Sequence, residues 1–532
     1  MHDVTRRHFL KSLGAGLGML ACAPLSMAQP TKRRPNIVYI LADDLGWGDI
    51  SCYNPDGKVS TPNIDRLAAQ GIRFTDAHTT CAVCSPTRYS TMTGRYSWRG
   101  RLKRHVLPHF AKPLIEPGRD TIASLLKQKG YATAVVGKWH LGLGWQAKPG
   151  KSFDPNSWDH KQVDAIDFAR PLQGCPLDHG FDYYFGIGSS NNMLPYCLIE
   201  NDRVVKVPTR RKDPEVYDTE HGYGLVSDDY VSQDLDQILW SKARTWLEKQ
   251  CTAPKQPFFL YMPTSAIHRP CLPIDPFIKS SRAGLHGDKT QELDSIVGKV
   301  VALLKKHNKL ENTLIVFSSD NGAQPGDPVR ALKHYAENDW GQKYNPQALL
   351  DEKVDESNST VKNWKTYGHR VNGPYRGYKA SIYEGGHRVP YVLRWPGVIK
   401  PGTVSDRLIC CTDFFATVAE ILGTPLGKQA GEDSISFLPL LAGKTEPAGL
   451  RRDIISEAGN ATKALRRGPW KLILGKTGLT GNHKKMNRPD ELYNLQDDPA
   501  ETQNVVARHP RIVKQLYERY ERYLASGGSR DG

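Results

Sequence analysis

Two segments of the chain place acidic and amide side chains directly after an apolar run. Asp43 and Asp44 follow the run NIVYILA, and Asp320 and Asn321 follow the run TLIVFSS. Three carboxylates and one amide form an all-oxygen set, which suits a hard divalent cation such as Ca²⁺ or Mg²⁺ and not zinc, which prefers nitrogen and sulfur. Without a cation, clustered carboxylates would repel one another and take up protons. The four residues therefore predict a metal site.

Basic side chains follow two further apolar runs. Lys138 and His140 come after Ala132–Val136, and His268 comes after the run PFFLYM. In an open α/β sheet, ligands bind beyond the carboxyl ends of the strands, so four strands would bring these groups to one edge. Any single Asp or Asn at a strand end could instead be a turn residue or a helix cap. The four strand ends together favour a functional site over four unrelated turns.

The segment Cys84–Arg95 (CSPTRYSTMTGR) carries the most specific pattern in the chain. A lone C-x-P-x-R would be weak, because short patterns arise by chance, and a buried structural thiol is the alternative for Cys84. Here, however, Thr-Gly follows as well. The segment resembles the signature of the type I, formylglycine-dependent sulfatases, in which this cysteine is oxidised after translation to formylglycine.

The resemblance covers most of the chain beyond its N-terminal segment. Further segments that look like those of the family are Asn36–Asp49, Thr61–Ala68, Gly137–Gly142, Phe317–Gly322, Tyr383–Pro390 and Glu491–Val505. The overall sequence is similar to arylsulfatase A-like enzymes and their exported bacterial members. This implies an α/β fold of the alkaline-phosphatase-like or sulfatase type: a large mixed, mostly parallel sheet flanked by helices, with a smaller C-terminal α+β subdomain.

The resemblance also implies a set of site residues. Calcium, with magnesium as the alternative, would be bound by Asp43, Asp44, Asp320, Asn321 and the formylglycine at Cys84. The catalytic positions would be Cys84, Arg88, Lys138, His140, His268 and Lys379. His268 departs slightly from the family pattern, because relatives more often have Pro directly before this histidine and this chain has Ile267.

The chemistry of these residues is consistent with hydrolysis of a sulfate monoester. That reaction needs a nucleophile, cations around the sulfuryl oxygens and an acid for the leaving oxygen. The hydrate of formylglycine would supply two hydroxyls on one carbon. One would attack sulfur with help from the metal and Asp320, and the other, deprotonated by His140, would expel sulfate. His268 or Lys379 would protonate the leaving alcohol. A thiol or a serine could not regenerate itself in this way.

These positions require a framework of alternating strands and helices. Nearly continuous apolar runs predict buried strands at Asn36–Ala42, Ala132–Val136, Pro257–Met262 and Thr313–Ser318. Amphipathic segments predict helices at Asn63–Gln70, Thr121–Lys129, Gln233–Lys249 and Gln291–His307. Near the C-terminus we expect strands at Trp470–Leu474 and Glu491–Leu495 and a final helix at Arg508–Leu524.

The length of 532 residues would allow three or four average domains, but the pattern favours two folded ones after a signal segment. We predict a signal peptide at 1–28, a catalytic domain at 33–435, and a C-terminal subdomain at 436–532 with a small antiparallel sheet and a terminal helix. Long polar stretches, predicted to be functional loops or disordered insertions, are Lys148–Pro176, Arg203–Tyr223 and Ala323–Gly373.

The N-terminal segment has the features of an export signal. Arg6 and Arg7 precede Phe-Leu-Lys and a weakly apolar stretch, and small residues for cleavage end at Ala28. The paired arginines resemble those of a twin-arginine export signal, and an ordinary secretory signal is the alternative. Cys22 could be a degenerate lipoprotein site. We expect a periplasmic or secreted protein that meets the export machinery and a formylglycine-generating or sulfatase-maturing enzyme. No later segment approaches the ~20 apolar residues of a membrane span, so we expect no stable membrane insertion.

The charge of the chain points to anionic partners. The sequence has 72 Lys and Arg against 56 Asp and Glu, a formal charge of +16. No nucleic-acid-binding motif accompanies this charge, so we expect no nucleic acid. The resemblance implies a sulfated substrate, either a sulfated carbohydrate or an aryl sulfate, with a saccharide favoured. The rival functions are a phosphatase or phosphodiesterase of the same superfamily and a catalytically inactive carbohydrate-binding relative. Disulfides are permitted outside the cell, but the spacing of the ten cysteines selects no pairing.

Four other features leave two interpretations open. The basic run Arg99–His105 is either a solvated face or a rim that binds the substrate. The same two interpretations apply to Arg210–Lys212. The stretch Trp139–Trp145 either stacks on a sugar ring or packs in the core. For His387 a structural role is favoured over catalysis.

Overall fold

A ten-stranded mixed sheet forms the centre of the protein. The computed structural model describes residues 34–212, 224–253, 255–328, 360–444, 448–479 and 484–530. The strands within those ranges are β1 Asn36–Ala42, β2 Ile72–Phe74, β3 Ala77–His78, β4 Ala132–Lys138, β5 Tyr183–Ile187, β6 Ile199–Glu200, β7 Arg203–Val204, β8 Arg210–Lys212, β9 Gly224–Val226, β10 Phe258–Pro263, β11 Thr313–Ser319, β12 Gly326–Pro328, β13 Thr360–Lys362, β14 Tyr391–Arg394, β15 Thr403–Ser405, β16 Ile409–Cys410, β17 Asp453–Glu457, β18 Lys463–Arg467, β19 Trp470–Leu474 and β20 Glu491–Asn494.

Helices pack around this sheet. Those in the described part of the chain are α1 Pro62–Ala69, α2 Cys84–Thr93, α3 Ile122–Gln128, α4 Leu235–Thr252, α5 Gly284–Lys306, α6 Asn363–Thr366, α7 Glu384–His387, α8 Asp413–Ile421, α9 Leu438–Leu441 and α10 Pro510–Ala525. None of these helices is both long enough and apolar enough to cross a bilayer.

The strand order confirms the predicted fold class. The large sheet runs β15-β2-β14-β11-β1-β10-β4-β5-β6-β7, and its five central strands from β11 to β5 are all parallel. β14 joins one side of this parallel centre in the antiparallel sense, and β6 and β7 extend the other side as an antiparallel meander. The central strands are buried on both faces, as their unbroken apolar sequences predict.

The register of the central strands brings their carboxyl ends level. Ala42, the last residue of β1, pairs with Ser319, the last residue of β11, and Leu41 pairs with Pro263 at the end of β10. β10 in turn pairs with β4, and β4 with β5. The residues that follow these strands therefore meet at one edge, which is the arrangement that positions the candidate site.

A smaller C-terminal sheet is packed against the last helix. Strands β17 to β20 form an antiparallel four-stranded sheet in sequence order. On α10, Leu516, Tyr520 and Tyr523 are buried in a cluster that includes Leu465 and Leu472 of this sheet. This is the predicted small antiparallel sheet with a terminal helix. The predicted boundary at residue 435 stays a prediction.

Most predicted elements are present with shifted ends. The strand predicted at Ala132–Val136 continues to Lys138, because Gly137 and Lys138 still pair with β5. The helix predicted from Gln291 begins at Gly284. Its first turns are polar, so they lack an apolar stripe, but the Asp288 carboxylate accepts hydrogen bonds from the backbone N–H groups of Lys279 and Ser281 and so anchors them.

The structure tests the expectation about disulfides but not the one about the N-terminal signal. The predicted signal at 1–28, with Arg6, Arg7 and Cys22, lies outside the described residues. The nine cysteines within the described ranges are all free thiols, so the permitted disulfides are not formed among them. Parts of the predicted polar insertions at 203–223 and 323–373 also lie outside the described residues.

Candidate active site

The turn after β1 supplies two buried carboxylates. Asp43 accepts a hydrogen bond of 2.6 Å from Lys138 Nζ at the end of β4. Asp44 has a backbone φ of 60°, which is the left-handed region, and its N–H donates to Asp320 Oδ1 at 3.1 Å. Asp is one of the few side chains that enters this region at modest cost. The turn thus directs two consecutive carboxylates toward the end of β11.

The turn after β11 completes a cluster of oxygen atoms. Asn321 Nδ2 donates to Asp44 Oδ1 at 2.7 Å, while Asn321 Oδ1 is buried and has no hydrogen-bond partner among the described residues. Burial, together with the negative charge of Asp43, raises the pKa of Asp320 to about 6. An orphaned amide oxygen beside mutually repelling carboxylates is a donor set that a hard divalent cation would satisfy.

Cys84 is the first residue of α2 and lies at this cluster. Its Sγ is 3.6 Å from Asp43 Oδ1 and its side chain is buried. Ligand atoms of Asp43, Asp44, Cys84 and His268 all lie within 4.8 Å of one another. Burial raises the pKa of the Cys84 thiol to about 12, so as a thiol it would be a weak nucleophile. An aldehyde hydrate at this position would replace the sulfur with oxygen and so match the surrounding oxygen donors.

Arg88 lies one turn further along α2 and holds the carboxylates in place. Its Nε and Nη2 contact Asp320 Oδ2 at 2.9 and 2.7 Å, and its Nη2 is 3.6 Å from Asp43 Oδ1. Its Nη1 donates to the backbone carbonyl of Lys138 at 3.0 Å. The guanidinium is fully buried, and although burial opposes the charge, the two carboxylates raise its pKa further. Arg88 is therefore a permanent cation beneath the cluster.

Two histidines flank Cys84 and both are held neutral. Burial lowers the pKa of His140 well below its usual value, and the charges of Lys138 and Arg88 lower it further. Burial and the charge of Lys379 act in the same way on His268. His268 Nδ1 lies 2.7 Å from the carbonyl of Arg269, which only accepts, so this nitrogen carries the proton and Nε2 lies free to accept, 3.6 Å from Asp44 Oδ2.

Lys379 supplies a positive charge that lines the cleft. Its Nζ donates to Asp44 Oδ2 at 2.7 Å. Burial opposes its charge, but Asp44 raises the pKa of this lysine above its usual value. In the same way, burial would raise the pKa of Asp44, yet Lys379 and the neighbouring His268 hold it below its usual range. The pair is ionised at neutral pH, with the ammonium facing a cleft.

That cleft is the route by which a ligand reaches Cys84. It has a volume of about 650 Å³. Its lining includes the predicted site residues Cys84, His140, His268 and Lys379. The structure therefore brings all ten predicted residues to one place: Asp43, Asp44, Arg88, Lys138, Asp320 and Asn321 beneath, and the other four on the cleft wall.

Several residues of the cleft wall were missed by the sequence reasoning. They are Trp158, Ser190, Asn192, Arg269 and Gln324. Ser190 Oγ lies 3.4 Å from His140 Nδ1, and Gln324 Nε2 donates to Asp44 Oδ2 at 2.9 Å. Ser190 and Asn192 follow β5, a short apolar strand that was not predicted, so the same strand-end rule would have found them.

The open interpretations of other residues have structural answers. Trp139 packs against His179 and Phe181, and both Trp139 and Trp145 are buried, so they belong to the core and not to a sugar-stacking surface. In the basic run, Arg99 forms a salt bridge with buried Asp433, and Lys103 donates to a backbone carbonyl. Of that run, only His105 lines the cleft within the described chain.

The two remaining basic candidates also lie in ion pairs. Arg210 and Arg211 pair with Asp228 and Asp164 at the surface. His387 is buried in a second cluster, where its Nδ1 is 3.0 Å from His78 Nδ1. Its Nε2 is 3.2 Å from Lys471 Nζ. The carboxylates at that cluster are already neutralised by arginine and lysine, as expected of a structural network.

The mixed sheet and the charged cluster at its carboxyl edge are those of an α/β ester hydrolase. A sulfatase family model matches residues 35–424, and a second model, N-sulphoglucosamine sulphohydrolase, C-terminal, matches residues 376–525. The chain belongs to the sulfatase family and is a sulfuric ester hydrolase.

Individual relatives extend over most of the chain. An N-acetylgalactosamine-6-O-sulfatase of Bacteroides thetaiotaomicron is 33% identical over 529 residues, which cover 92% of this chain and 93% of the relative. The human N-acetylgalactosamine-6-sulfatase is 30% identical over 421 residues, covering 78% of this chain and 67% of the relative. A solved sulfatase structure from a study of glycosaminoglycan metabolism by Bacteroides thetaiotaomicron superposes with a TM-score of 0.75 at 31% identity, covering 92% of this chain and 99% of that one.

Proposed function

We propose that the protein hydrolyses a sulfate monoester of a saccharide, with formylglycine formed from Cys84 and with Ca²⁺ bound beside it. The observation that carries this proposal is the position of Cys84, buried at the start of α2, within 3.6 Å of Asp43 and at the floor of an open cleft. When formed, formylglycine supplies a hydrated aldehyde whose hydroxyl is the nucleophile. Asp43, Asp44, Asp320 and Asn321 would hold the cation, which neutralises their charge.

The cleft residues have complementary roles toward the ester. Lys379, charged at neutral pH and facing the cleft, binds a sulfate oxygen. The leaving alcohol takes its proton from Lys379, whose ammonium lines the cleft wall, whereas neutral His268 presents an unprotonated Nε2 there and can only accept. His140, held neutral by burial and by Lys138, accepts a proton from residue 84. Beneath the cleft, Arg88 and Lys138 hold the carboxylates of Asp320 and Asp43 in position by ion pairs.

A sulfated saccharide is the substrate class that the relatives favour. The bacterial relative at 33% identity over most of both chains is named for 6-O-sulfated N-acetylgalactosamine. The cleft is large enough for a sugar ring together with its sulfate and is lined mainly by polar and aromatic side chains. A phosphatase is disfavoured, because Cys84 lies where such an enzyme would carry a serine, a threonine or a metal-bound water.

We propose that the protein is exported to the periplasm or beyond the cell, with residues 1–28 as a signal of the twin-arginine type. Formylglycine would be installed by a formylglycine-generating or sulfatase-maturing enzyme. A protein tagged at its C-terminus and fractionated from its natural host tests this: we expect it outside the cytoplasm, and Arg6→Lys with Arg7→Lys should retain it inside.

The direct test of the proposed function is mass spectrometry of the peptide that contains Cys84, from protein produced with a maturing enzyme. We expect the mass of an aldehyde in place of a thiol, and hydrolysis of an aryl sulfate well above that of the matching aryl phosphate. Cys84→Ala should abolish hydrolysis, whereas Cys52→Ala, which removes a thiol outside the cleft, should not. An active protein with an unmodified thiol, or a preference for phosphate, would refute the proposal.

A further inference from the structure

The wall of the cleft has a strongly one-sided charge. Its described lining carries three histidines, one arginine and one lysine but no aspartate or glutamate. The lysine is Lys379, which in the proposed function binds an oxygen of the sulfate that is hydrolysed. The arginine, Arg269, is a second cation that the hydrolysis of one sulfate ester does not require. The cleft therefore has capacity for a ligand with more than one negative charge.

Arg269 has no charged partner among the residues that the structure describes. Its Nε is buried and lacks a hydrogen-bond partner among the described residues, and no ion pair with a described carboxylate involves its guanidinium. It follows His268 directly in the chain, so it is held beside the reaction site. A buried donor without a partner is uncommon in a folded protein, because desolvation is then uncompensated. A bound anion would compensate it.

Asn192 offers an acceptor on the same cleft. Its side chain is 94% buried, since only 6% is exposed, and its Oδ1 has no hydrogen-bond partner among the described residues. A carboxamide can both accept from and donate to a hydroxyl group, which is the group that a sugar presents on each ring carbon. Asn192 is therefore a second polar group that a ligand in the cleft would satisfy and that no described residue does.

Trp158 provides an apolar surface at the cleft. Unlike Trp139 and Trp145, it is 37% exposed, and its ring packs edge-on against His109 with centroids 5.7 Å apart. It belongs to the polar insertion Lys148–Pro176, for which a functional loop and a disordered insertion were the two expectations and which lies within the described residues. An exposed indole that lines a polar cleft is suited to the apolar C–H face of a pyranose ring.

We propose that Trp158, Asn192 and Arg269 form a saccharide subsite that selects a sulfated oligosaccharide with a second anionic group. Trp158 covers the ring, the Asn192 carboxamide binds a ring hydroxyl, and Arg269 binds a carboxylate or a second sulfate on the same or the adjoining sugar. This inference rests on the proposed function and deepens it, because it distinguishes an anionic oligosaccharide substrate from a simple aryl or monosaccharide sulfate.

The test compares matched disaccharides that share the same sulfated sugar: one with a uronic acid, one with that carboxyl reduced to an alcohol, and one with a second sulfate on the reduced sugar. For the wild type we expect kcat/KM to be about tenfold or more higher for the two anionic substrates than for the neutral one. Arg269→Gln, which keeps a polar side chain, should remove that preference, and Arg269→Lys should restore part of it. Preference for only one anionic substrate identifies which group Arg269 binds.

Two further variants complete the test. Trp158→Ala and Asn192→Ala should each raise KM for all three disaccharides. Arg452→Ala, which removes an exposed arginine outside the cleft, is the control and should leave the preference for anionic over neutral disaccharides unchanged. The subsite is wrong if Arg269→Gln lowers activity on the neutral and anionic disaccharides equally while the wild type hydrolyses all of them. If the wild type carries formylglycine and yet hydrolyses no sulfate ester, the proposed function fails instead. Thermal unfolding verifies that each variant is folded.

Discussion

Arg88 is a residue whose removal should disrupt the carboxylate cluster of the candidate site. Its guanidinium contacts Asp320 at 2.7 Å and Asp43 at 3.6 Å while fully buried. A buried ion pair adds little net stability compared with an apolar replacement of both partners, but loss of one partner leaves the other charge uncompensated. Substitution of Arg88 alone should therefore lower the free energy of unfolding by more than the ion pair itself contributes.

We predict that Arg88→Ala lowers the free energy of unfolding by about 3–5 kcal/mol and kcat/KM by at least about 10²-fold. Arg88→Lys should fall between this variant and the wild type in stability, because one ammonium cannot reproduce the paired N–H contacts to Asp320. Urea unfolding and aryl sulfate hydrolysis measure the two effects. Arg66→Ala, at an exposed arginine, is the control, and equal stability of Arg88→Ala and the wild type would contradict the assignment.

The carboxylate cluster also predicts the response to metal removal. Asp320, with its raised pKa, and the orphaned Asn321 Oδ1 would both be satisfied by a cation. We expect Ca²⁺ added to chelator-treated protein to raise the melting temperature, by the equivalent of about 2.7 kcal/mol at a concentration 100-fold above Kd. Mg²⁺ should have less effect and Na⁺ at equal ionic strength none. Asn321→Ala should weaken the response, and a chelator without effect on the melting temperature would contradict a calcium site.

Single residues of the site could be predicted when they followed a strand that the sequence revealed. Asp43 and Asp320 follow long apolar runs, so the strand-end rule and the resemblance agree on them. Asn192 was missed because β5, the strand that precedes it, was not predicted. Arg269 follows a predicted strand, but its significance arises from an unsatisfied Nε and a cleft, which exist only in the folded chain.

At the scale of elements, apolar content decided what could be predicted. The strand Asn36–Ala42 has the predicted limits because it pairs along both edges with β10 and β11 and all seven of its residues are buried. The short strand β5 was missed, since its five residues contain a glycine and two tyrosines. The start of α5 was missed because its first turns are stabilised by the carboxylate of Asp288 and not by an apolar stripe.

A second network that the sequence did not predict connects elements distant in the chain. Asp76, between β2 and β3, accepts hydrogen bonds from Arg388 after α7 and from Arg466 of β18 in the C-terminal sheet. His78 Nε2 is 2.8 Å from the same carboxylate. Burial would raise the pKa of Asp76, but Arg388 and Arg466 hold it well below its usual range. This carboxylate therefore joins the C-terminal sheet to the large one.

We predict that Asp76→Asn lowers the free energy of unfolding at neutral pH by about 3 kcal/mol, because buried Arg388 and partly buried Arg466 each lose a charged partner, although Glu384 still pairs with Arg388. A carboxyl with a depressed folded-state pKa stabilises the fold above its unfolded pKa of about 3.9, and this contribution is lost as pH falls toward the folded value. The difference between variant and wild type should therefore shrink below about pH 4. Urea unfolding over a pH series measures it, with exposed Asp56→Asn as the control. A difference that is independent of pH would contradict this assignment.

At the scale of the whole molecule, the excess of positive charge has separable parts. The chain carries a formal +16, and many of its arginines, such as Arg99 and Arg451, are neutralised by buried aspartates. The cleft is different, because Arg269 lines it without an ion pair among the described residues, whereas the charge of Lys379 is paired with Asp44 beneath. Charge that internal pairs do not cancel acts at long range on an approaching anion, and long-range attraction is the part that dissolved salt screens.

We therefore predict that salt affects substrates according to their charge. Between ionic strengths of about 0.01 and 0.1 M, the Debye length falls from about 30 to about 10 Å, so attraction from outside the cleft is largely lost. For a sulfated oligosaccharide kcat/KM should fall on the order of tenfold, mostly through KM, whereas for a singly charged aryl sulfate the fall should be much smaller. Initial rates at constant Ca²⁺ provide the comparison. If both substrates lose activity in parallel, the salt acts on the catalytic cluster itself, and the positive cleft does not steer the polyanion.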